Sequence, residues 1–167
     1  MSDVDTGLLL LRLVVGLTFA AHGFNKFFGG GRIPGTARWF DSIGMRPGRL
    51  HALAAASTEV GAGLLLAAGL LTPFAAAAMV AVMLVAAWTV HRQAGFFSAG
   101  GGWEYNAVLA VVALTVATTG PGRASLDHAA GIEITGVAGA AIAVLLGLLS
   151  GAGQLATFFR PPAPQPA

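Results

Sequence analysis

Residues 8–28 read LLLLRLVVGLTFAAHGFNKFF. At 1.5 Å per residue such a run extends about 31 Å, which matches the roughly 30 Å hydrocarbon core of a bilayer. It contains only two permanent charges, Arg12 and Lys26. An apolar run of this length predicts a membrane-spanning helix, and the rest of the chain repeats the pattern. Further apolar runs cover 50–71, 73–90, 104–119 and 134–159, separated by Gly, Pro and Arg. Thr72-Pro73 is a tight break, because proline ends one helix and suits the first turn of the next. Strand-period alternation is absent. The expected fold is an all-α, polytopic membrane helix bundle: a four-helix core plus an additional C-terminal transmembrane helix. It forms one domain over 1–160, and the Pro-rich tail 161–167 is expected to be disordered.

Composition leads to the same class. Hydrophobic residues make up 56% of the 167 and charged residues 10%, with mean hydropathy +0.77. Soluble domains carry about 25% charged residues, so this chain cannot cover a globule with charge. There is no cysteine, which excludes a disulfide framework, a thiolate nucleophile and CxxC redox chemistry. A net charge of +2 is no nucleic-acid footprint. The N-terminus carries Asp3 and Asp5, unlike the basic start of a secretory signal.

The loops set an expected orientation. Five spans would put the 29–49 loop, the 91–103 loop and the C-terminal tail on one side. That side carries Arg32, Arg38, Arg46, Arg49, Arg92 and Arg160, against Arg123 alone on the other. The positive-inside rule then predicts a cytoplasmic C-terminus and an outside N-terminus. A short interfacial helix is expected over Thr36–Ile43, capped by Thr36. Arg32, Arg38, Arg46 and Arg49 around it are candidate contacts for a docked partner. Gly147-Leu-Leu-Ser-Gly151 is a GxxxG spacing and predicts helix packing, with a homodimer through the fifth span as its expected use.

Ionisable groups inside spans carry the chemistry, because an ionised side chain at the bilayer centre costs about 2.5–3.5 kcal/mol. At 100° per residue, Gly16, Phe19, Gly23 and Lys26 all fall within about 40° of Arg12, on one stripe. His22 borders it. Glu59 sits near the expected midplane of the second span, with Ala55, Ala56, Ala62 and Gly63 on the same face. It therefore points into the bundle, either paired with His22 or a cation, or buried as the neutral acid. Glu104 and Tyr105 open the fourth span level with Lys26, which predicts a Lys26–Glu104 ion pair. A polar pocket of Asn25, Lys26, His51, His91, Glu104 and Tyr105 is expected there, between the first, second and fourth spans. At the opposite face Arg12 is expected to reach Asp127. His22 and His91 differ in depth, so a bis-His haem pair is disfavoured. No metal-ligand spacing occurs, and no intrinsic cofactor is predicted.

Taken together, these residues resemble the DoxX family of small bacterial membrane proteins. The resemblance rests on Arg12-Leu13 through Gly16, Phe19, His22-Gly23 and Lys26; on Glu59-Val-Gly61 leading to Gly69-Leu-Leu-Thr72-Pro73; on Trp103-Glu104-Tyr105; and on Gly120-Pro-Gly122-Arg-Ala-Ser125-Leu126-Asp127. It implies a redox context. Relatives include a membrane subunit of thiosulfate:quinone oxidoreductase and a protein associated with superoxide dismutase and a sulfurtransferase in oxidative-stress resistance. The family pattern has four spans, so the fifth apolar segment is a departure. The implied role is a membrane anchor or subunit for oxidoreductase partners rather than an autonomous enzyme, with a quinone-binding subunit as the alternative and a small-solute or lipid carrier behind it. The resemblance carries over Arg12, Lys26, Glu59, Glu104, Tyr105 and Asp127 as pocket or bundle residues and assigns no catalytic residue.

Overall fold

A computed structural model describes residues 2–161. Residues 162–167, most of the tail expected to be disordered, lie outside the described residues. The chain is all helical, in the order α1 (Asp3–Phe28), α2 (Arg32–Ser42), α3 (Gly48–Ala68), α4 (Thr72–Ala86), α5 (Glu104–Thr119), α6 (Leu126–Ala130) and α7 (Gly136–Phe158). A π-turn (Ala87–His91) and a 3-10 turn (Arg92–Ala94) extend α4. Among the described residues, four helices are long and apolar enough to cross a membrane: α1, α3, α4 with its extension, and α7. Helix α5 is apolar but has 16 residues, about 24 Å at 1.5 Å per residue against a core of about 30 Å. Leucines, valines and phenylalanines such as Leu10, Val14, Leu17, Phe24, Leu64, Val108, Val111 and Leu149 point outward, as a lipid-facing surface requires.

The connections gather at two ends. At one, Asp5 Oδ1 accepts from the Arg123 N–H at 2.9 Å, and Ser2 closes a capping box with Asp5 over the start of α1. At the other, Met45 bridges Phe159, Arg46 N–H donates to Phe158 O at 3.2 Å, and Arg160 N–H donates to Gly44 O at 2.7 Å. We call these the Asp5 end and the Arg46 end.

Helix α1 packs along α3, and α4 packs against α5 and α7. The α1–α3 seam is built on the small-residue stripe. A Cβ on Gly16 would sit 2.5 Å from Gly63 O, and one on Gly23 would sit 2.5 Å from Ala56 O and 2.9 Å from Glu59 Cβ. Only glycine lets the two backbones approach this closely. Gly16→Val is expected to lower stability by about 1–3 kcal/mol through overpacking, read as earlier thermal unfolding in detergent. Gly61→Val, where a Cβ meets open space, is the silent control.

Two expectations need correction here. The interfacial helix is Arg32–Ser42 rather than Thr36–Ile43, and Thr36 does not cap it. Pro34 suits a first helical turn, and the glycines before Arg32 let the chain reverse ahead of it, with Gly30 at φ 48°. The Gly147/Gly151 motif is spent within the chain. Cβ atoms there would meet Val80 and Leu84 of α4 at 2.7 and 3.0 Å. Helix α7 is thus part of the bundle, and its glycines do not argue for a dimer.

Candidate functional site

The α1–α3 seam determines where Lys26 and Glu59 meet. Side chains lean toward the N-terminus of their own helix. Helices α1 and α3 run antiparallel, so Lys26 leans into the bundle while Glu59 leans toward the Arg46 end. Lys26 Nζ and Glu59 Oε2 lie 2.5 Å apart. The Glu59 side chain is 7% exposed and that of Lys26 21%. The carboxylate sits between Gly23 and the small-residue face of α3 and has little access to water. The ammonium compensates it there.

Beside this pair is a cavity of about 140 Å³. Its walls come from α1 (Lys26), α2 (Trp39, Phe40), α3 (Ala54, Ala55, Thr58, Glu59), α4 and its π-turn (Val82, Val85, Ala86, Thr89, Val90) and α7 (Gln154). The lining is mostly apolar, with polar groups from Lys26, Glu59, Thr58, Thr89 and Gln154. Thr89 Oγ1 donates to Val85 O at 2.8 Å, so its hydroxyl is already engaged. Gln154 Nε2 lies 2.9 Å from Nδ1 of His51. His51 is buried and packs edge-on against Phe158, with ring centroids 5.0 Å apart. The His51–Gln154 contact thus continues the polar lining from the cavity toward the Arg46 end.

Of the expected site residues, Lys26 and Glu59 are brought together and His51 joins their cavity through Gln154; the others are elsewhere. The Lys26–Glu104 pair does not form. Glu104 Oε2 accepts from both the N–H and the hydroxyl of Ser98, each at 2.9 Å. A partner six residues away closes with little loop entropy, and Lys26 is held by the more deeply buried carboxylate. His91 Nδ1 lies 2.7 Å from Gly101 O, in the same loop as Ser98. His22 is exposed on α1, with its ring 6.4 Å from that of Tyr105, itself exposed. The expected polar pocket between the first, second and fourth spans is therefore replaced by one walled by α1, α2, α3, α4 and α7. Asn106, on the bundle side of α5, is buried and donates to Met83 Sδ at 3.6 Å.

Arg12 and Asp127 share the opposite end without the expected direct contact. Arg12 is fully buried and donates to three carbonyls: Ala67 O at 3.0 Å, Leu66 O at 3.5 Å and Ala124 O at 2.6 Å. Asp127 accepts from Leu71 N–H at 2.7 Å and Thr72 N–H at 3.0 Å. Arginine thus caps the C-terminal carbonyls of α3, and aspartate caps the N-terminal amides of α4, each at the helix end whose dipole favours it. Leu71 between them adopts φ 50°, a left-handed conformation costly for leucine. Among the described residues, no three His, Asp or Glu side chains group as metal ligands.

Sequence reading missed Gln154, Thr58, Trp39 and Phe40 as cavity lining. Gln154 had a signal: it is the lone amide in the fifth segment, whose other polar side chains are the hydroxyls of Thr135, Ser150 and Thr157. The candidate docking residues Arg32, Arg38, Arg46 and Arg49 are all exposed at the Arg46 end.

The comparisons with known proteins fit this arrangement. A sequence-family model described as DoxX matches residues 7–92, the stretch from α1 to the end of α4's π-turn that supplies Lys26, Glu59 and all of the cavity wall except Gln154. The chain is 32% identical over 123 residues to a Bacillus subtilis (strain 168) protein named "Putative oxidoreductase CatD", covering 74% of this chain and 86% of that one. No solved structure matches the chain significantly.

Proposed function

The chain belongs to the DoxX family, and from that membership we propose that it is a membrane subunit of a redox system whose Lys26–Glu59 cavity holds the head group of a lipid-soluble quinone. The observation that carries this reading is a buried ion pair opening onto a mainly apolar, ring-sized space within the bundle. An apolar cavity of about 150 Å³ is large enough to bind benzene, so about 140 Å³ suits one six-membered ring. The oxidoreductase name of the Bacillus relative supports a redox context.

The residues present fit such a group. A bound quinone would supply acceptance of two electrons and two protons. The Lys26 ammonium would donate to one carbonyl oxygen, with Glu59 holding it in place. Gln154 and the Thr58 hydroxyl are the donors available for the other. Trp39 and Phe40 close the cavity beneath α2 and exclude water. His51, joined to the cavity through Gln154, is the nearest titratable group toward the Arg46 end. In this reading a partner oxidoreductase delivers the electrons. The exposed arginines Arg32, Arg38, Arg46 and Arg49 favour docking of that partner at the Arg46 end, the anchor role of the same subunit.

In this reading α5 is also a crossing, because it links the Arg46-end loop after α4 to the Asp5-end segment before α7. With five passes, the arginine excess at the Arg46 end favours that end in the cytoplasm and the N-terminus outside the bacterial plasma membrane.

The test is extraction of protein purified from its native membranes in mild detergent. Near-stoichiometric quinone is expected in the wild type, with about tenfold less in Lys26→Met, the loss of one charge-assisted hydrogen bond of about 1.5 kcal/mol. Absence of quinone from the extract, together with no binding on titration of a soluble quinone analogue, would remove the proposal. Exchanging the four docking arginines for glutamine should leave quinone content unchanged and abolish co-purification of a redox enzyme.

A further inference from the structure

A second recess lies away from the ion pair, on the outward side of the α4–α7 seam. Its volume is about 390 Å³, and Leu84, Trp88, Ala152, Leu155, Ala156 and Phe159 line it. On α7 these fall at i, i+3, i+4 and i+7, one continuous stripe. On α4 they are one turn apart. The groove therefore runs along both helices for about 10 Å at 1.5 Å per residue, and it carries no polar side chain.

Both stripes lead to an arginine at the Arg46 end. The Arg92 guanidinium lies over the Trp88 ring, 4.4 Å from its centroid, so it is held at the mouth of the groove by a wall residue. Arg160 follows Phe159 directly. Its backbone N–H is tied to Gly44 O at 2.7 Å, and its Nη1 donates to Phe159 O at 2.9 Å. Both arginines are exposed, and among the described residues neither is ion-paired. The nearby carboxylates are otherwise used: Asp41 accepts from Gly48 N–H and Glu104 from Ser98.

We infer that this groove is a binding site for an anionic phospholipid, with an acyl chain along Leu84, Trp88, Ala152 and Ala156 and the phosphate between Arg92 and Arg160. An apolar trough open to the lipid side of a membrane bundle meets acyl chains by default. What selects this lipid class is the pair of cations at the trough's headgroup end, since each arginine near the surface favours an anionic headgroup by about fivefold. The site is separate from the Lys26–Glu59 cavity and does not depend on its ligand.

Native mass spectrometry of the full chain, released from mild detergent with phosphatidylglycerol or phosphatidylcholine added, tests the inference. Wild-type protein is expected to retain phosphatidylglycerol about 25-fold better than phosphatidylcholine, two arginines at about fivefold each. Arg92→Gln with Arg160→Gln should erase that preference. Ala156→Phe, which fills the groove from an exposed position, should lose bound lipid of both kinds. All three changes lie at exposed positions, so the variants should match wild-type thermal unfolding in lipid-free detergent. Equal retention of the two lipids would overturn the inference. So would an anionic preference that survives the double arginine exchange. A two-chain mass that Ala156→Phe abolishes would overturn it in favour of a second copy seated in the groove.

Discussion

Lys26→Met is expected to lower the unfolding free energy by about 3 kcal/mol, because it leaves the Glu59 carboxylate buried without its cation. Glu59 is 7% exposed and lies under the α1 backbone at Gly23, so it cannot turn to water. Glu59→Gln should cost less, about 1–2 kcal/mol, since the stranded ammonium is on a long stem, is 21% exposed and can move to the helix end. The asymmetry distinguishes a paired Glu59 from a neutral one. A neutral acid would make both changes nearly silent. The double exchange Lys26→Met with Glu59→Met removes both charges and should recover most of the wild-type stability, as replacement of buried pairs by apolar groups often does. It should still fail to bind quinone. With Glu59→Met as the second single exchange, thermal unfolding of wild type, Lys26→Met, Glu59→Met and the double exchange in one detergent reads the cycle, and additivity of the two single changes would show that the pair is not coupled.

Arg12→Leu is expected to cost about 3–5 kcal/mol, because two or three buried carbonyls lose their donor at about 1–3 kcal/mol each. Arg12 has no exposed surface, and its guanidinium serves carbonyls on two separate segments, the end of α3 and the loop before α6. Leucine fills some of the volume and leaves Ala67 O and Ala124 O without that donor. Arg12→Lys keeps the charge but has one nitrogen where two are used, so an intermediate loss is expected. Asp127→Asn should lose about 1–2 kcal/mol, because one amide oxygen can cap only one of Leu71 and Thr72 well. Thermal unfolding orders them Leu, Lys, Asn by severity. An Arg12→Leu variant as stable as wild type would show that the α3–α4 turn holds without this clamp.

The helices were largely legible because their signals are local. Residues 8–28 were long enough and apolar enough to declare a span, and Thr72-Pro73 declared the break between α3 and α4. The face of α1 was legible too: Arg12, Gly16, Phe19 and Gly23 on one stripe are all buried. The fate of α7 was not. A GxxxG spacing states that some helix approaches closely, and only the tertiary arrangement shows that the helix is α4 of the same chain. Partner choice failed for the same reason. Lys26 and Glu104 were matched by depth, but depth does not say which helix lies beside α1. The tilt of side chains toward their own N-termini brought Glu59 to Lys26 instead, and Ser98 closed on Glu104 locally. Gln154 and His51 became neighbours across more than a hundred residues, through the docking of α7 that the sequence pattern does not encode.

The central claim is that the Lys26–Glu59 cavity, walled by α2, α3, α4 and α7, receives a quinone ring. Photo-crosslinking tests it most directly, with a quinone analogue carrying a photoreactive group on the ring, applied to the full chain in its native membranes and mapped by peptide mass spectrometry. The account predicts adducts confined to the cavity wall, at residues 26, 39–40, 54–59, 82–90 and 154, competed away by unmodified quinone and lost in Lys26→Met. Adducts on the outward faces of α1 or α5, around His22 and Tyr105, that persist in Lys26→Met would contradict it.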